Sequence, residues 1–133
     1  MGADETILAT LLAWIARDRS FLGVVLAHPK KDKLRLLWSA ETFRAFGITG
    51  DLKPKRVLSH RKLPKHLAAA LAKGFVPLCL LSLRAAAPTP RILTRTTLPW
   101  PTPEPWTPAT IDRAVRMQTA RLRFAAPTAA GKA

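Results

Sequence analysis

The sequence predicts an α+β protein, with a small two-layer domain whose sheet is antiparallel and roughly three-stranded, packed with two to three helices. An extended proline-rich arm and a basic C-terminal helix are predicted to follow. Helix-like and strand-like apolar spacings both occur within the first 84 residues, whereas prolines concentrate after them. We therefore divide the chain into a compact α+β domain over 1–84, an extended Pro/Trp-rich arm over 85–107, a basic amphipathic helix over 108–124 and a tail over 125–133.

The first half of the compact domain carries four recognisable elements. Residues 4–17 have apolar side chains at helical spacing and acids in the first turn, which predicts an amphipathic helix. Two apolar runs, 21–28 and 34–38, are separated by a polar, proline-led connection and predict a β-hairpin. A short helix over 40–46, capped by Ser39, is expected next.

The second half of the domain begins with an irregular basic segment. Residues 48–63 have no clean period and predict a loop that becomes ordered on contact with a partner. Pro64 suits the first position of a short helix that Gly74 ends. Residues 75–84 predict a strand, and Pro77 near its start favours an edge position or a bulge because proline cannot donate to a β-ladder.

The arm combines prolines with tryptophans. Alternate residues from Pro99 to Pro105 are proline, which enforces an extended path. Exposed tryptophan is costly unless it is covered, so the two rings either fold back on the domain or contact a neighbouring protein. We predict the second outcome, with these partner contacts: Trp100, Pro101, Pro103 and Trp106. Thr107 then has the features of an N-cap for the last helix.

Positive charge is concentrated in one part of the chain. The net charge is +14 and the isoelectric point is near 11.5. Residues 1–51 contain seven Lys or Arg and six acids, whereas 52–133 contain fifteen Lys or Arg and only Glu104 and Asp112 as acids. A GC-rich genome would favour arginine, but it does not explain the scarcity of acids after Asp51. The asymmetry therefore indicates a polyanionic partner, with nucleic acid first.

Two stretches are the strongest candidates for phosphate contacts. The basic segment precedes a helix whose N-terminal N–H groups would favour phosphate, and the last helix carries arginines along its length. The predicted nucleic-acid-binding residues are Lys53, Lys55, Arg56, Arg61, Lys62, Lys65, Arg113, Arg116, Arg121 and Arg123. The hairpin tip, with three lysines and Arg35, is interpreted as a soluble turn with at most a weak second contact.

Enzyme chemistry is not expected. The histidines His28, His60 and His66 have no metal-ligand spacing, and Cys79 has no second cysteine to join it. No nucleophile elbow, phosphate-binding loop or dinucleotide fingerprint is present. We predict no catalytic residue, no metal site and no cofactor.

The function predicted from these features is a non-catalytic structural subunit of a large ribonucleoprotein. An organellar ribosomal protein in the mitochondrial matrix is favoured over a cytoplasmic one, with rRNA phosphates and neighbouring protein subunits as partners. Two alternatives stay open: an accessory subunit of a mitochondrial respiratory or ATP-synthase complex, and a phage- or plasmid-type DNA-binding regulator. No transmembrane segment is expected, because no apolar run approaches the roughly 20 residues needed to span a bilayer.

Overall fold

Helices alternate with strands along the chain. The computed structural model describes residues 3–28, 30, 33–85, 87–93 and 106–124, and all structural statements concern these residues. The helices are α1 (Ala3–Arg17), α2 (Ala40–Phe46), α3 (Leu63–Ala72) and α4 (Pro108–Thr119). The strands are β1 (Phe21–Ala27), β2 (Leu34–Ser39), β3 (Thr49–Gly50), β4 (Val57–Leu58), β5 (Val76–Arg84), β6 (Ala87–Ile92) and β7 (Leu122–Arg123).

The main sheet has five strands in the order β4-β2-β1-β5-β6. β1 pairs antiparallel with β2 and β5, β5 pairs antiparallel with β6, and β2 pairs parallel with β4. β3 and β7 form a separate antiparallel ladder. The protein is α+β, but the prediction of three antiparallel strands was wrong. The two added strands come from segments without apolar alternation, the basic loop and the proline-rich stretch.

Both faces of the sheet are buried. One core cluster joins α1 and α3 to one face of β1, which includes Phe21, Val24 and Leu26. The other cluster joins α2, α4 and β7 to the intervening residues Leu22 and Val25. Every residue of β1 is buried, as expected for a central strand covered on both sides. The layers therefore number three, helix–sheet–helix, rather than the two predicted.

Local signals in the first 84 residues correspond closely to the structure. The predicted first helix, hairpin and short second helix are confirmed, including the N-cap at Ser39, whose hydroxyl accepts the Thr42 N–H. Pro77 lies opposite Leu26 beside a register irregularity between Val25 and Leu26, so the bulge is confirmed and the edge position is not. β6 pairs with β5 only from Cys79 onward. No residue of β6 therefore lies opposite Pro77, and the N–H that proline lacks is not needed for a hydrogen bond to β6.

The start of the predicted arm belongs to the sheet. Residues 87–92 form β6, whose prolines lie opposite β5 at Pro88↔Leu83 and Pro90↔Leu81. The Leu93 N–H bonds to the Leu78 carbonyl, which makes the odd-numbered β6 positions the hydrogen-bonded ones. The two prolines therefore turn their missing N–H away from β5, toward the side of β6 on which no strand of the described residues pairs. This geometry corrects the expectation of an extended arm from residue 85.

The C-terminal helix is shorter than predicted. α4 begins with Thr107 as N-cap in a reciprocal capping box with Thr110, but it ends at Thr119. Residues 122–123 pair with β3 instead of continuing the helix to 124. Most of the predicted arm, 94–105, and the tail, 125–133, lie outside the described residues. None of the described helices is long and apolar enough to cross a bilayer.

Candidate nucleic-acid interface

The basic loop is held against the sheet by a short parallel pairing. Pro54–Arg56 form one turn of 3-10 helix, and Val57 and Leu58 then pair with Trp38 and Ser39 of β2. Arg56 directly precedes β4. Because β4 runs parallel to β2, Arg56 lies beside the part of β2 that precedes Trp38. The loop is therefore a structured border of the sheet in this fold.

The C-terminus reaches the same border through the β3–β7 ladder. Gly50 pairs with Leu122, and the Asp51 N–H bonds to the Arg121 carbonyl at 3.4 Å. A Cβ at Gly50 would lie only 2.4 Å from that carbonyl oxygen, so a larger residue would push the two strands apart. This ladder brings Arg121 to the 51–56 segment, although it lies 70 positions after Asp51 in the sequence.

A groove of about 530 Å³ lies between β2, the 51–56 segment and the end of α4. We call it the basic groove. The residues on which the argument depends are Leu34, Arg35, Leu36, Lys53, Arg56 and Arg121. Its four cations come from three separate segments, and Asp51 is the one acid among the lining residues. The groove therefore concentrates positive charge that is dispersed along the sequence.

Arg35 is the most constrained cation of the groove. Its guanidinium carbon lies 4.4 Å from the centroid of the Phe75 ring, which fixes the side chain by a cation–π contact. Partial burial, and then the neighbouring charge of Arg56, lower the pKa of Arg35. Neither guanidinium pairs with a carboxylate within the described residues. An anion bound between them would relieve this repulsion.

The edge of β2 is open along the groove. The His28 N–H bonds to the Lys33 carbonyl, and β1 and β2 continue in regular register from there. Alternation along an antiparallel ladder then turns the N–H and C=O groups of Leu34 and Leu36 away from β1. β4 covers only Trp38 and Ser39, so these groups have no backbone partner in the described part of the chain. The groove thus offers hydrogen-bonding groups between its cations.

A second cavity of about 320 Å³ continues this surface toward α3. It is lined by Lys55, Lys62 and His66 among others, and Pro54 lines both cavities. The N-terminus of α3 offers less to phosphate than the sequence indicated. The N–H groups of Lys62 and Leu63 already bond to the Ser59 carbonyl, at 3.0 and 2.9 Å. Side chains rather than backbone N–H groups therefore carry the positive charge of this cavity.

The structure brings together half of the predicted contact residues. Lys53, Arg56 and Arg121 line the basic groove, and Lys55 and Lys62 line the adjoining cavity. The others are exposed but line neither cavity: Arg61, Lys65, Arg113, Arg116 and Arg123. Among these, Arg116 is partly neutralised, because its Nε lies 2.8 Å from a carboxylate oxygen of Asp112. Sequence reasoning gave Arg35 too little weight, since only tertiary structure places it beside Arg56.

A buried serine anchors the turn that follows β4. Ser39 Oγ lies 3.1 Å from His60 Nε2, and the His60 N–H donates to both carboxylate oxygens of Glu41, at 3.1 and 3.2 Å. Burial alone would raise the pKa of Glu41, but the His60 N–H and nearby positive charge lower it overall. Ser39 is fully buried and already accepts the Thr42 N–H, so the cluster fixes the loop and presents no accessible nucleophile.

The remaining candidates are Cys79 and the aromatic contacts. Cys79 is fully buried, and desolvation raises its pKa to about 12, so almost no thiolate exists near neutral pH. Trp106 is half-buried and packs against the second core cluster of its own domain. Trp100, Pro101 and Pro103 lie outside the described residues. In the described part of the chain, no three His, Cys, Asp or Glu side chains are grouped to hold a metal.

Comparisons with protein-family models, with curated proteins and with solved structures found no match.

Proposed function

We propose that this protein is a non-catalytic RNA-binding subunit of a ribonucleoprotein and that it binds the phosphate backbone through the basic groove and the adjoining cavity. The observation that carries the proposal is that four cations, Arg35, Lys53, Arg56 and Arg121, line one groove, and no carboxylate of the described residues forms an ion pair with them. Folding alone does not favour several like charges around one groove, whereas phosphate oxygens between them are stabilising.

The open edge of β2 favours an unpaired RNA strand over a duplex. The N–H and C=O groups of Leu34 and Leu36 point into the groove, and their side chains are half-buried there. Bases of a single strand present free hydrogen-bonding edges and apolar faces, which these groups match. In a duplex the bases are stacked and paired, so the phosphates alone would reach the groove.

The proposal also names the assembly to which the protein belongs. The excess of cations after Asp51 suits a subunit that lies on rRNA, and an organellar ribosome in the mitochondrial matrix remains our prediction. A mitochondrial membrane complex and a DNA-binding regulator are the alternatives. The first would bring this protein down with a detergent-solubilised complex free of RNA, and the second would give preferential duplex binding by a symmetric dimer.

The test is charge reversal in the groove. Arg56→Glu/Arg121→Glu should weaken binding to a single-stranded RNA by at least about tenfold in fluorescence anisotropy. Each lost phosphate contact should also reduce the slope of log K against log salt by about 0.7, or about 1.4 for the pair. Arg19→Glu/Arg44→Glu makes the same change in net charge at exposed positions that line neither cavity.

The control separates a specific surface from general attraction. We expect the Arg19/Arg44 variant to retain most of the affinity, and thermal melting to show that both variants are folded. Equal losses in the two variants would mean that only net charge matters. An unchanged affinity in the groove variant would remove the basis of the proposal.

A further inference from the structure

Three arginines surround another cavity, which is separate from the basic groove and from the cavity that adjoins it. This cavity of about 350 Å³ lies between the end of α1 and the strands β5 and β6. We call it the arginine pocket, and the argued lining residues are Trp14, Arg17, Asp18, Ser82, Arg84 and Arg91. None of these residues was predicted from the sequence as a binding residue, because they come from three segments that are balanced or weak in local charge.

Strand register explains why these arginines converge. Arg91 of β6 lies opposite Leu80 of β5, and Leu80 is buried in the core cluster beneath α1. Arg84 follows Leu80 by four positions and therefore faces the same side of the sheet. The last turn of α1 contributes Arg17 from above. The pocket is thus built by the α1 side of the sheet at the β5–β6 border.

The carboxylate in the pocket does not neutralise the arginines. One oxygen of Asp18 accepts the Ser20 N–H at 2.9 Å, and the other accepts the hydroxyl of Ser82. No ion pair joins Asp18 to the three arginines in the described chain. Three guanidinium groups and one carboxylate leave a local excess of positive charge. Asp18 instead fixes the turn after α1 against β5.

One of the arginines is already oriented. The guanidinium carbon of Arg91 lies 4.8 Å from the centroid of the Trp14 ring, a distance typical of cation–π contacts. This contact restricts the side chain before any ligand arrives, which lowers the entropic cost of binding. Arginine presents a planar set of donors that matches phosphate oxygens in a bidentate arrangement.

We propose that the arginine pocket binds a backbone phosphate of a second RNA segment. The pocket lies beside β5 and β6 on the α1 face, whereas the basic groove lies beside β2 with the α4 side of the core. Three strand spacings separate β2 from β6, about 14 Å across the sheet. A strand of three nucleotides, about 10 Å long, therefore does not fill both sites. The proposal that this protein joins two RNA segments rests on the proposed function of the basic groove. Phosphate binding by the arginine pocket does not depend on that function.

The experiment measures two sites on the full-length chain. Two single-stranded RNAs of three nucleotides, each about 10 Å long and so too short to reach both sites, carry a donor or an acceptor fluorophore and are mixed with the protein. The unaltered protein should bind two oligonucleotides and produce energy transfer between them. Arg84→Gln/Arg91→Gln should bind one, lose the transfer signal and weaken second-site binding by at least about tenfold. Arg56→Glu/Arg121→Glu should likewise bind one, through the arginine pocket.

The outcomes separate the two proposals. If the unaltered protein binds only one oligonucleotide, or if Arg84→Gln/Arg91→Gln matches an Arg19→Gln/Arg44→Gln control, the inference is overturned. If Arg56→Glu/Arg121→Glu still binds two oligonucleotides while Arg84→Gln/Arg91→Gln binds one, the proposed function is wrong and phosphate binding by the arginine pocket remains supported. Preference of the pocket for a poly-glutamate peptide over RNA would also overturn it. Thermal melting of each variant, and Arg84→Lys/Arg91→Lys as a charge-preserving variant, exclude misfolding as the cause.

Discussion

Individual side chains in this protein owe their chemistry to where the sheet places them. Cys79 lies on the inner strand β5, fully buried between β1 and β6. Its thiol donates to the Leu80 carbonyl at 3.4 Å. Desolvation dominates its environment and keeps the thiol protonated, while the charge of Asp112 acts in the same direction. The residue behaves as a small apolar side chain.

A dependence of stability on alkaline pH follows for Cys79. Its pKa rises from 9.0 to about 12 on folding, so above pH 9 the unfolded state loses a proton that the native state keeps. The free energy of unfolding should therefore fall, by about 1.4 kcal/mol per pH unit from this group alone. Urea unfolding at pH 7 to 10.5 measures the effect against Cys79→Ala, which lacks the group. A stability difference between the two proteins that stays constant over this range would contradict the prediction.

At the scale of elements, α4 is part of the core although its composition is strongly polar. Ile111, Val115 and Leu122 are buried in the second cluster, together with the α2 residue Phe43. The spacing of Ile111 and Val115 indicated an apolar side, but the arginines around them suggested an attached helix rather than a structural one. Burial shows that these two residues cover the sheet.

Two substitutions on α4 test whether the helix is part of the core or is only attached to its surface. Ile111 is 1% exposed, so Ile111→Ala should lower the free energy of unfolding by roughly 2–4 kcal/mol through lost burial and a cavity. Met117 lies on the same helix with 66% of its side chain exposed, and Met117→Ala should change stability by less than about 0.5 kcal/mol. Chemical denaturation compares them. Equal effects would mean that α4 does not pack as described.

At the scale of the whole molecule, the C-terminal region contributes a strand and a helix to the three layers. The sequence suggested that residues 1–84 fold alone, but β6 and α4 complete the sheet and cover one of its faces. An uncovered sheet face would expose Leu22, Val25 and Leu81 to water. Removal of the cover should therefore abolish a unique fold.

Truncation tests this dependence. Deletion of 108–133 should abolish cooperative thermal melting, because the second core cluster loses Ile111, Val115 and Leu122. Deletion of 125–133 alone removes none of the described residues and should leave the melting temperature within a few degrees. Circular dichroism and calorimetry would measure both. A sharp transition in the longer deletion would show that the first 107 residues suffice.

Local rules in the sequence determined the first helix, the hairpin, the cap at Ser39 and the bulge at Pro77. They did so because these features depend on neighbours a few residues apart. The excess of positive charge was likewise visible without a structure. Only the tertiary structure decided that the Pro88 and Pro90 stretch joins the sheet, since its missing donors face an open edge.

The same holds for the binding surfaces. Arg35, Arg56 and Arg121 meet only because a two-residue parallel pairing and a two-residue ladder bring three segments together. The arginine pocket depends on the register of β5 and β6 beneath α1. Such short pairings leave no periodic pattern in the sequence. The sequence by itself therefore determined that cations are in excess, and the packing of distant segments decided which of them act together.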